Sequence, residues 1–150
     1  MKLYLDTEFN EFGGALISLA LVPEVRKYRE FYEELPCPKP GAWVKEHVIP
    51  KLTKPAVSVP VFEKLLYRYL LEFSAPVTIV ADYPDDISYL CKALITGPGT
   101  RIAIDDINFE LRCGLTYVSA VPHHALFDAR ALRDSAESLE NSARQKAPTY

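Results

Sequence analysis

Apolar residues in the first quarter of the chain recur in a pattern that predicts three consecutive β-strands. Residues 1–9 and 15–22 are runs of mostly apolar side chains, and the polar stretch 10–14 between them is typical of a turn. Residues 28–35 form two alternating sets of side chains, as in a half-buried strand: Tyr28, Glu30, Tyr32 and Glu34 in one set, and Arg29, Phe31, Glu33 and Leu35 in the other. Because only short turns separate these segments, we expect an antiparallel meander.

Beyond a proline-rich break at residues 36–40, the apolar residues change to helical spacing, interrupted by short apolar runs. The pattern predicts helices over 42–52, 61–73, 85–95 and 124–142, strands over 77–81 and 102–104, and a helical turn over 107–111. A meander followed by alternating strands and helices favours an α/β fold. In such a fold, helices flank a mixed sheet that has an antiparallel half and a parallel half.

Composition agrees with one globular domain. The 150 residues are 49% hydrophobic and 25% charged, and we assign residues 1–142 to the domain and 143–150 to a flexible tail. No apolar run reaches the roughly 20 residues of a membrane helix, and the chain begins with a strand pattern in place of a signal peptide. Three widely spaced cysteines indicate reduced thiols without a zinc site, so we expect a cytoplasmic protein.

The net charge of −3 restricts the kinds of partner that the chain can bind. Proteins that wrap long nucleic acids electrostatically need a basic surface, and this balance argues against that class. An enzyme that holds a short 3′ end through metal ions is still compatible with an acidic chain.

Two carboxylates stand at the end of the first predicted strand, where Asp6 and Glu8 are separated by one residue. Side chains at i and i+2 of a strand point to the same face, so each charge raises the cost of ionising the other. A divalent cation would relieve that repulsion, and hard oxygen ligands favour Mg²⁺ or Mn²⁺ over zinc. The alternative is an exposed strand end with solvated carboxylates, although Leu3, Leu5 and Phe9 are typical of a central strand.

A second acidic stretch contains Asp82, Asp85 and Asp86, where the strand over 77–81 runs into a helix. Acids at a helix start commonly serve as caps and as partners of the helix dipole. The carboxyl end of a strand is also where α/β proteins place ligands. Both interpretations stay open on the residues alone.

His123, His124 and Asp128 stand together at the start of the last predicted helix. A surface pair between His124 and Asp128, or charge compensation at the helix N-terminus, would explain one histidine beside one carboxylate. Neither explains why two of the three histidines in the chain are adjacent here.

In this order, the three stretches resemble the DEDDh superfamily of 3′–5′ exonucleases, which includes RNase T and oligoribonuclease. The run His-His-Ala-Leu-Phe-Asp-Ala at 123–129 is similar to the superfamily's His-x-Ala-Leu-x-Asp-Ala signature, and the resemblance spans residues 1 to about 140. The opening Tyr-Leu-Asp-Thr-Glu-Phe and the later Ala-Trp-Val-Lys-Glu-His-Val-Ile-Pro look most like the compact mycobacterial-type exoribonucleases. The resemblance implies a ribonuclease H-like fold.

The resemblance also implies roles for individual residues. Four catalytic acids would hold two Mg²⁺ or Mn²⁺ ions: Asp6, Glu8, Asp86 and Asp128. Asp82 is the alternative to Asp86 as the fourth acid. His123 would be the general base that takes a proton from the attacking water, so the rate should fall at acid pH.

Four residues would contact the terminal nucleotide by the same resemblance: Thr7, Phe9, Trp43 and His47. Phe9 could instead be a core aromatic and Trp43 could cap the core, so both alternatives stay open.

The predicted function is a metal-dependent 3′–5′ exoribonuclease that releases nucleoside 5′-monophosphates from the 3′ end of single-stranded or overhanging RNA, without a membrane partner. Related enzymes imply a homodimer. The alternatives are an exonuclease for single-stranded DNA and an inactive relative that only binds nucleic acid or protein. All five motif positions are filled, which argues against the inactive relative.

Overall fold

A computed structural model describes residues 1–74, 76–104 and 106–146. The strands are β1 (Lys2–Phe9), β2 (Leu16–Pro23), β3 (Phe31–Glu34), β4 (Val77–Ala81), β5 (Ile95–Gly97), β6 (Thr100–Arg101) and β7 (Ile107–Leu111). The α-helices are α1 (Ala42–His47), α2 (Val59–Leu70), α3 (Pro84–Ala93) and α4 (Ala125–Lys146), and a 3₁₀ helix (Ile49–Lys51) follows α1.

Five strands form one mixed sheet in the order β3-β2-β1-β4-β7. β2 pairs antiparallel with both β1 and β3, whereas β4 lies parallel to both β1 and β7. This topology confirms the predicted α/β fold with its antiparallel and parallel halves, and it is consistent with a ribonuclease H-like fold. β5 and β6 form a separate two-stranded hairpin.

The central strand β1 contributes side chains to both faces of the sheet. Leu3 and Leu5 are fully buried in a core that includes side chains of α2 and α3. Tyr4 points to the opposite face, where it packs with Ala125 and Ala129 of α4. Because side chains alternate along a strand, the positions that follow Tyr4 at intervals of two face α4.

Residues 107–111 form the edge strand β7, so the helical turn predicted there was wrong. The five residues pair in parallel with β4 along its whole length, from Val77 with Ile107 to Ala81 with Leu111. Ile107, Phe109 and Leu111 do alternate with polar residues, but so short a segment carries too few periods to outweigh other patterns. Pairing with β4 supplies the stabilisation that the local sequence lacks.

The strand predicted over residues 102–104 was also wrong. Ile102 is buried, as its apolar character requires, but its carbonyl and that of Ile104 accept hydrogen bonds from the Arg101 guanidinium. The Ile102 N–H also donates to the carbonyl of Leu94, so the Ile102 side chain enters the core from irregular backbone.

Several element ends differ from the prediction. α1 ends at His47 and not at residue 52, α2 spans Val59–Leu70 and not 61–73, and residue 95 begins β5 and does not end α3. β3 begins at Phe31 and not at residue 28, and residues 28–30 precede it as irregular backbone. α4 continues to Lys146, through part of the stretch predicted as a flexible tail. Residues 147–150, the end of that predicted tail, lie outside the described residues.

None of the helices in the described ranges combines the length and the apolarity that crossing a membrane requires. Cys37, Cys91 and Cys113 form no disulfide among the described residues.

Candidate active site

The acids on β1 lie at the edge of the sheet where β1 and β4 end side by side. Tyr4 pairs with Val80 in parallel register, and continuing that register by two residues brings Asp82 next to Asp6. Asp6 and Glu8 both follow Tyr4 at intervals of two, so their side chains point towards α4. The site therefore forms at the carboxyl ends of parallel strands, where α/β proteins bind ligands.

Two helix starts approach this edge and complete a cluster of five carboxylates. Asp86 lies in the first turn of α3 and Asp128 in the first turn of α4. Two sets of carboxylates each offer oxygens within 4.8 Å of one another: Asp6, Glu8 and Asp128 in one, and Asp6, Asp82 and Asp86 in the other. Asp6 belongs to both sets, and Asp82 and Asp86 both lie within reach of it, so the cluster has one acid more than the four-acid pattern.

Burial and crowding make these carboxylates hard to ionise. Desolvation, followed by repulsion from Asp86 and Glu8, raises the pKa of Asp6 well above its usual range. Desolvation and the nearby Asp128 raise the pKa of Glu8 to about 8, although the positive charge of Lys51 opposes this shift. The site thus carries an electrostatic cost that a bound cation would offset.

Asp86 is held in place by Thr7 of β1. Its Oδ1 accepts hydrogen bonds from the Thr7 backbone N–H at 3.1 Å and from the Thr7 hydroxyl at 2.6 Å. Burial raises the pKa of Asp86, whereas the Thr7 bonds lower it. Thr7, which was predicted to touch the substrate, thus also orients a carboxylate of the site.

His123 precedes α4 in an unusual backbone conformation. Its φ is 63°, a left-handed value that costs a residue with a side chain roughly 1–2 kcal/mol. Its backbone N–H donates a 2.9 Å hydrogen bond to Oδ2 of Asp128. This bond joins the residue before α4 to a carboxylate of the acidic cluster, so the histidine backbone and the acid are fixed relative to each other.

Trp43 and His47 form an aromatic pair on α1 that reaches His123. The Trp43 and His47 rings stack with centroids 4.7 Å apart and an interplanar angle of 11°. The edge of the pair meets His123, whose ring centroid lies 4.9 Å from that of Trp43 at 83°. Trp43 is 50% exposed, so it does not cap the core as the alternative interpretation required.

Phe9 and Tyr89 stack on each other at the end of β1. Their ring centroids lie 4.6 Å apart with an interplanar angle of 23°, and the Tyr89 hydroxyl donates to the carbonyl of Gly14. Phe9 also lines the cavity over the acids, and it is only partly buried. Phe9 therefore packs on Tyr89 and also contributes to the lining of the cavity.

Tyr117, in the loop between β7 and α4, contacts the carboxylate of Asp82. Its hydroxyl donates a 2.9 Å hydrogen bond to Oδ2 of Asp82. Burial, then the negative charges of Asp82 and Asp6, raises the pKa of Tyr117, so the phenol remains protonated and remains a donor. Asp82 is consequently oriented by a side chain 35 residues further along the chain.

The acids, His123 and Trp43 line one cavity of about 710 Å³. This volume lies in the range that small-molecule and nucleotide-sized sites occupy. Exposed apolar side chains stand at its border, since Tyr83 is 56% and Val118 94% exposed. The cavity thus joins an acidic floor to an aromatic and apolar wall.

The donor set fits a hard divalent cation. All the candidate ligands are carboxylate oxygens, which suit Mg²⁺ and Mn²⁺. Oδ1 of Asp128 is buried and accepts no hydrogen bond from any described residue, so this oxygen is available as a ligand. A cation would satisfy that oxygen and lower the repulsion among the acids at the same time.

Sequence reasoning missed three contacts that shape the site. Lys51 Nζ donates to the carbonyl of Pro122, and the Thr53 hydroxyl lies 3.2 Å from Nε2 of His124. The third contact is the hydrogen bond from the Tyr117 hydroxyl to Asp82. Each contact joins residues far apart in the chain, so no local spacing or motif could have indicated it.

The fold and the site together place the chain among α/β proteins that carry a carboxylate cluster at the ends of the strands of a mixed sheet. No family model matches the chain. Over 59 residues it is 42% identical to two curated proteins of Mycobacterium tuberculosis, from strains H37Rv and CDC 1551, each named a 3′–5′ exoribonuclease. The match covers 37% of this chain and 35% of each relative, so the chain spans about a third of the length of the relatives it matches. This similarity supports a relationship to 3′–5′ exonucleases.

Proposed function

We propose that the chain is a metal-dependent 3′–5′ exoribonuclease that hydrolyses single-stranded or overhanging RNA and releases nucleoside 5′-monophosphates. The observation that carries the proposal is the convergence of five carboxylates and one histidine in a single cavity. The names of the two relatives support RNA as the substrate.

Two Mg²⁺ or Mn²⁺ ions fit this proposal because the carboxylates form two sets that share Asp6. Asp6, Glu8 and Asp128 would hold one ion, and Asp6 with Asp86 and Asp82 the other. The bound ions would supply Lewis-acid stabilisation of the scissile phosphate and of the leaving 3′-oxygen, and would acidify the attacking water. The chain's own contribution is a rigid arrangement of carboxylates on β1, α3 and α4.

His123 is the general base of the proposed reaction. A neutral imidazole takes the proton from the water that attacks the terminal phosphodiester, and the 3′-oxygen of the preceding nucleotide leaves. His123 suits this role because its backbone N–H is bonded to Asp128 and its ring borders the cavity. Protonation of the imidazole would remove the base, so the rate should fall at acid pH.

Trp43 and Phe9 would hold the terminal base by stacking. The Trp43 ring is half exposed and is supported by His47 behind it, an arrangement that keeps an aromatic surface ready for a nucleobase. Stacking of a base on an aromatic side chain contributes roughly 1–3 kcal/mol and tolerates different bases. We therefore expect the enzyme to show little preference for the base of the terminal nucleotide.

The homodimer that the resemblance implies belongs to this proposal. Val118, at the border of the cavity, and Phe12, in the turn after β1, are 94% and 96% exposed, and a second copy could cover them. Multi-angle light scattering should then give twice the chain mass of 16.9 kDa. A single-chain mass at micromolar concentration would remove the dimer while leaving the proposed activity in place.

A direct test compares 5′-labelled RNA and DNA oligomers of the same sequence with Mg²⁺, with Mn²⁺ and with EDTA. We expect stepwise shortening of the RNA from the 3′ end, with mononucleotide release, and no reaction in EDTA. Faster shortening of the DNA would favour the exodeoxyribonuclease. Binding without hydrolysis under both metals would favour the inactive relative and contradict the proposal.

A further inference from the structure

Residues 51–53, at the end of the 3₁₀ helix that follows α1, contact the chain on both sides of His123. Lys51 Nζ donates a hydrogen bond to the carbonyl of Pro122, the residue before His123. The Thr53 hydroxyl lies 3.2 Å from Nε2 of His124, the residue after it. Because His123 has a φ of 63°, which is unfavourable in an isolated chain, contacts on either side are needed to stabilise this conformation.

The segment is itself anchored to the sheet through Glu34 at the end of β3. Glu34 is 1% exposed, and its Oε1 accepts hydrogen bonds from the backbone N–H groups of Thr53 and Lys54 at 2.7 and 2.9 Å. The Tyr32 hydroxyl donates to the same oxygen at 2.5 Å. A buried carboxylate with three donors is a rigid attachment point, so the position of Thr53 follows from the position of β3.

His124 is packed as tightly as the segment that contacts it. It is 1% exposed, its ring stacks on Tyr32 with centroids 4.7 Å apart, and its edge meets Phe127 at 4.9 Å. The Thr53 hydroxyl is the hydrogen-bond partner that the described residues offer to its Nε2. His124 therefore transmits the position of Thr53 to the backbone of the adjacent His123.

We infer that Lys51 and Thr53 are positioning residues for His123, which they hold in its left-handed conformation at the cavity. This inference rests on the proposed function, since it assigns them an effect on the general base. Thr53 is uncharged and belongs to neither carboxylate set, so its loss should slow proton transfer without weakening metal binding. Lys51 is outside both sets as well, but its charge acts on Glu8, so Thr53 gives the cleaner test. A small displacement of a catalytic group can cost up to about 100-fold in rate.

Thr53→Val tests the inference because it exchanges the hydroxyl for a methyl group of similar size, and Thr53→Ser restores the hydroxyl. On 5′-labelled RNA we expect Thr53→Val to lower kcat about 10- to 100-fold, with KM and Mn²⁺ affinity within about twofold of wild type. Thr53→Ser should recover most of the rate. Thr96→Val is the matched control, because the Thr96 hydroxyl bonds only across the β5–β6 hairpin to Thr100 among the described residues, and it should leave kcat unchanged.

Each outcome bears on one idea. If the wild-type protein hydrolyses neither RNA nor DNA, the proposed function fails. If the wild type is active and Thr53→Val has a wild-type kcat, or if Thr53→Ser is as slow as the valine variant, the positioning role is overturned. Should Thr53→Val not fold, Lys51→Met tests the same segment from the Pro122 side. Because the Lys51 charge also acts on Glu8, kcat is measured at saturating Mn²⁺, where it should still fall. An unchanged kcat would overturn the inference.

Discussion

The acids on β1 and the histidine before α4 reach the same cavity but are positioned by different means. Asp6 and Glu8 stand on the central strand, where their pairing with β2 determines their direction, and the strand is also paired with β4 as far as Tyr4. His123 stands on a loop in a left-handed conformation, and its position depends on side-chain contacts from Asp128, Trp43 and their surroundings. The backbone of the sheet thus determines the position of the proposed metal ligands, whereas tertiary contacts determine the position of the proposed general base.

Removing a carboxylate from the rigid half should have the largest effect. We expect Asp6→Asn to lower kcat by at least about 10³-fold, because Asp6 belongs to both carboxylate sets and its loss would impair both candidate metal sites. Single-turnover hydrolysis of 5′-labelled RNA with Mg²⁺ measures the effect. Asp85→Asn is the matched control, since Asp85 lies in the same acidic stretch but in neither set, and it should retain activity. Full activity of Asp6→Asn would refute the catalytic assignment.

Replacing the histidine tests the other half without disturbing the fold. Glycine accepts a φ of 63° readily, so His123→Gly should keep or raise the melting temperature while it lowers kcat by about 10²–10⁴-fold. Mn²⁺ affinity at a fixed pH should be unchanged. Calorimetry, single-turnover rates and metal titration would measure these three effects. A loss of Mn²⁺ binding in this variant would mean that the two halves of the site are not independent.

Shortening the aromatic wall should act on binding more than on chemistry. Trp43→Ala removes the exposed ring beside His123 and should raise KM about 5- to 150-fold, the equivalent of losing one stacked base. Trp43→Phe keeps an aromatic face and should recover part of this loss. Steady-state kinetics on a short RNA measure both variants. An unchanged KM in Trp43→Ala would show that the base stacks elsewhere, with Phe9 the next residue to test.

The smallest expected effect is on stability, and it isolates the electrostatic cost of the acids. Burial raises the pKa of Glu8 from 4.5 to about 8, so between these pH values the folded state binds more protons than the unfolded state. This contribution is complete below about pH 4.5 and is lost as the pH rises towards 8, so the metal-free protein should become less stable across that range. At pH 8 in EDTA, Glu8→Gln should gain on the order of 1 kcal/mol, or about 2–4 °C in melting temperature.

The control for this stability prediction is Glu46→Gln, which changes an exposed carboxylate on α1 and should leave the melting temperature unchanged. Mg²⁺ should raise the melting temperature of the wild type more than that of Glu8→Gln. If Glu8→Gln were less stable than the wild type at pH 8 in EDTA, Glu8 would be stabilised by a contact that outweighs its burial.

Much of the fold could be predicted because long segments carry several periods of their pattern. β1, β2 and α4 were recognised from eight or more residues each, and β4 from a short run of buried side chains. The largest errors fell on residues 102–104, which are irregular backbone carrying the buried Ile102, and on residues 107–111, an edge strand that is stabilised by its pairing with β4. Phe109 and Leu111 remain 42% and 45% exposed, so burial did not mark β7 either.

The sequence by itself determined which side chains are the candidates for the chemistry. Asp6 and Glu8 point to the same face because side chains alternate along a strand, and Asp128 follows His123 by five positions. Only the tertiary structure decided how these groups meet: that Asp82 and Asp86 both reach Asp6, that Thr7 orients Asp86, and that residues 51–53 flank His123. Local periodicity records how a segment folds, whereas contacts across 70 or more residues depend on how the finished elements pack.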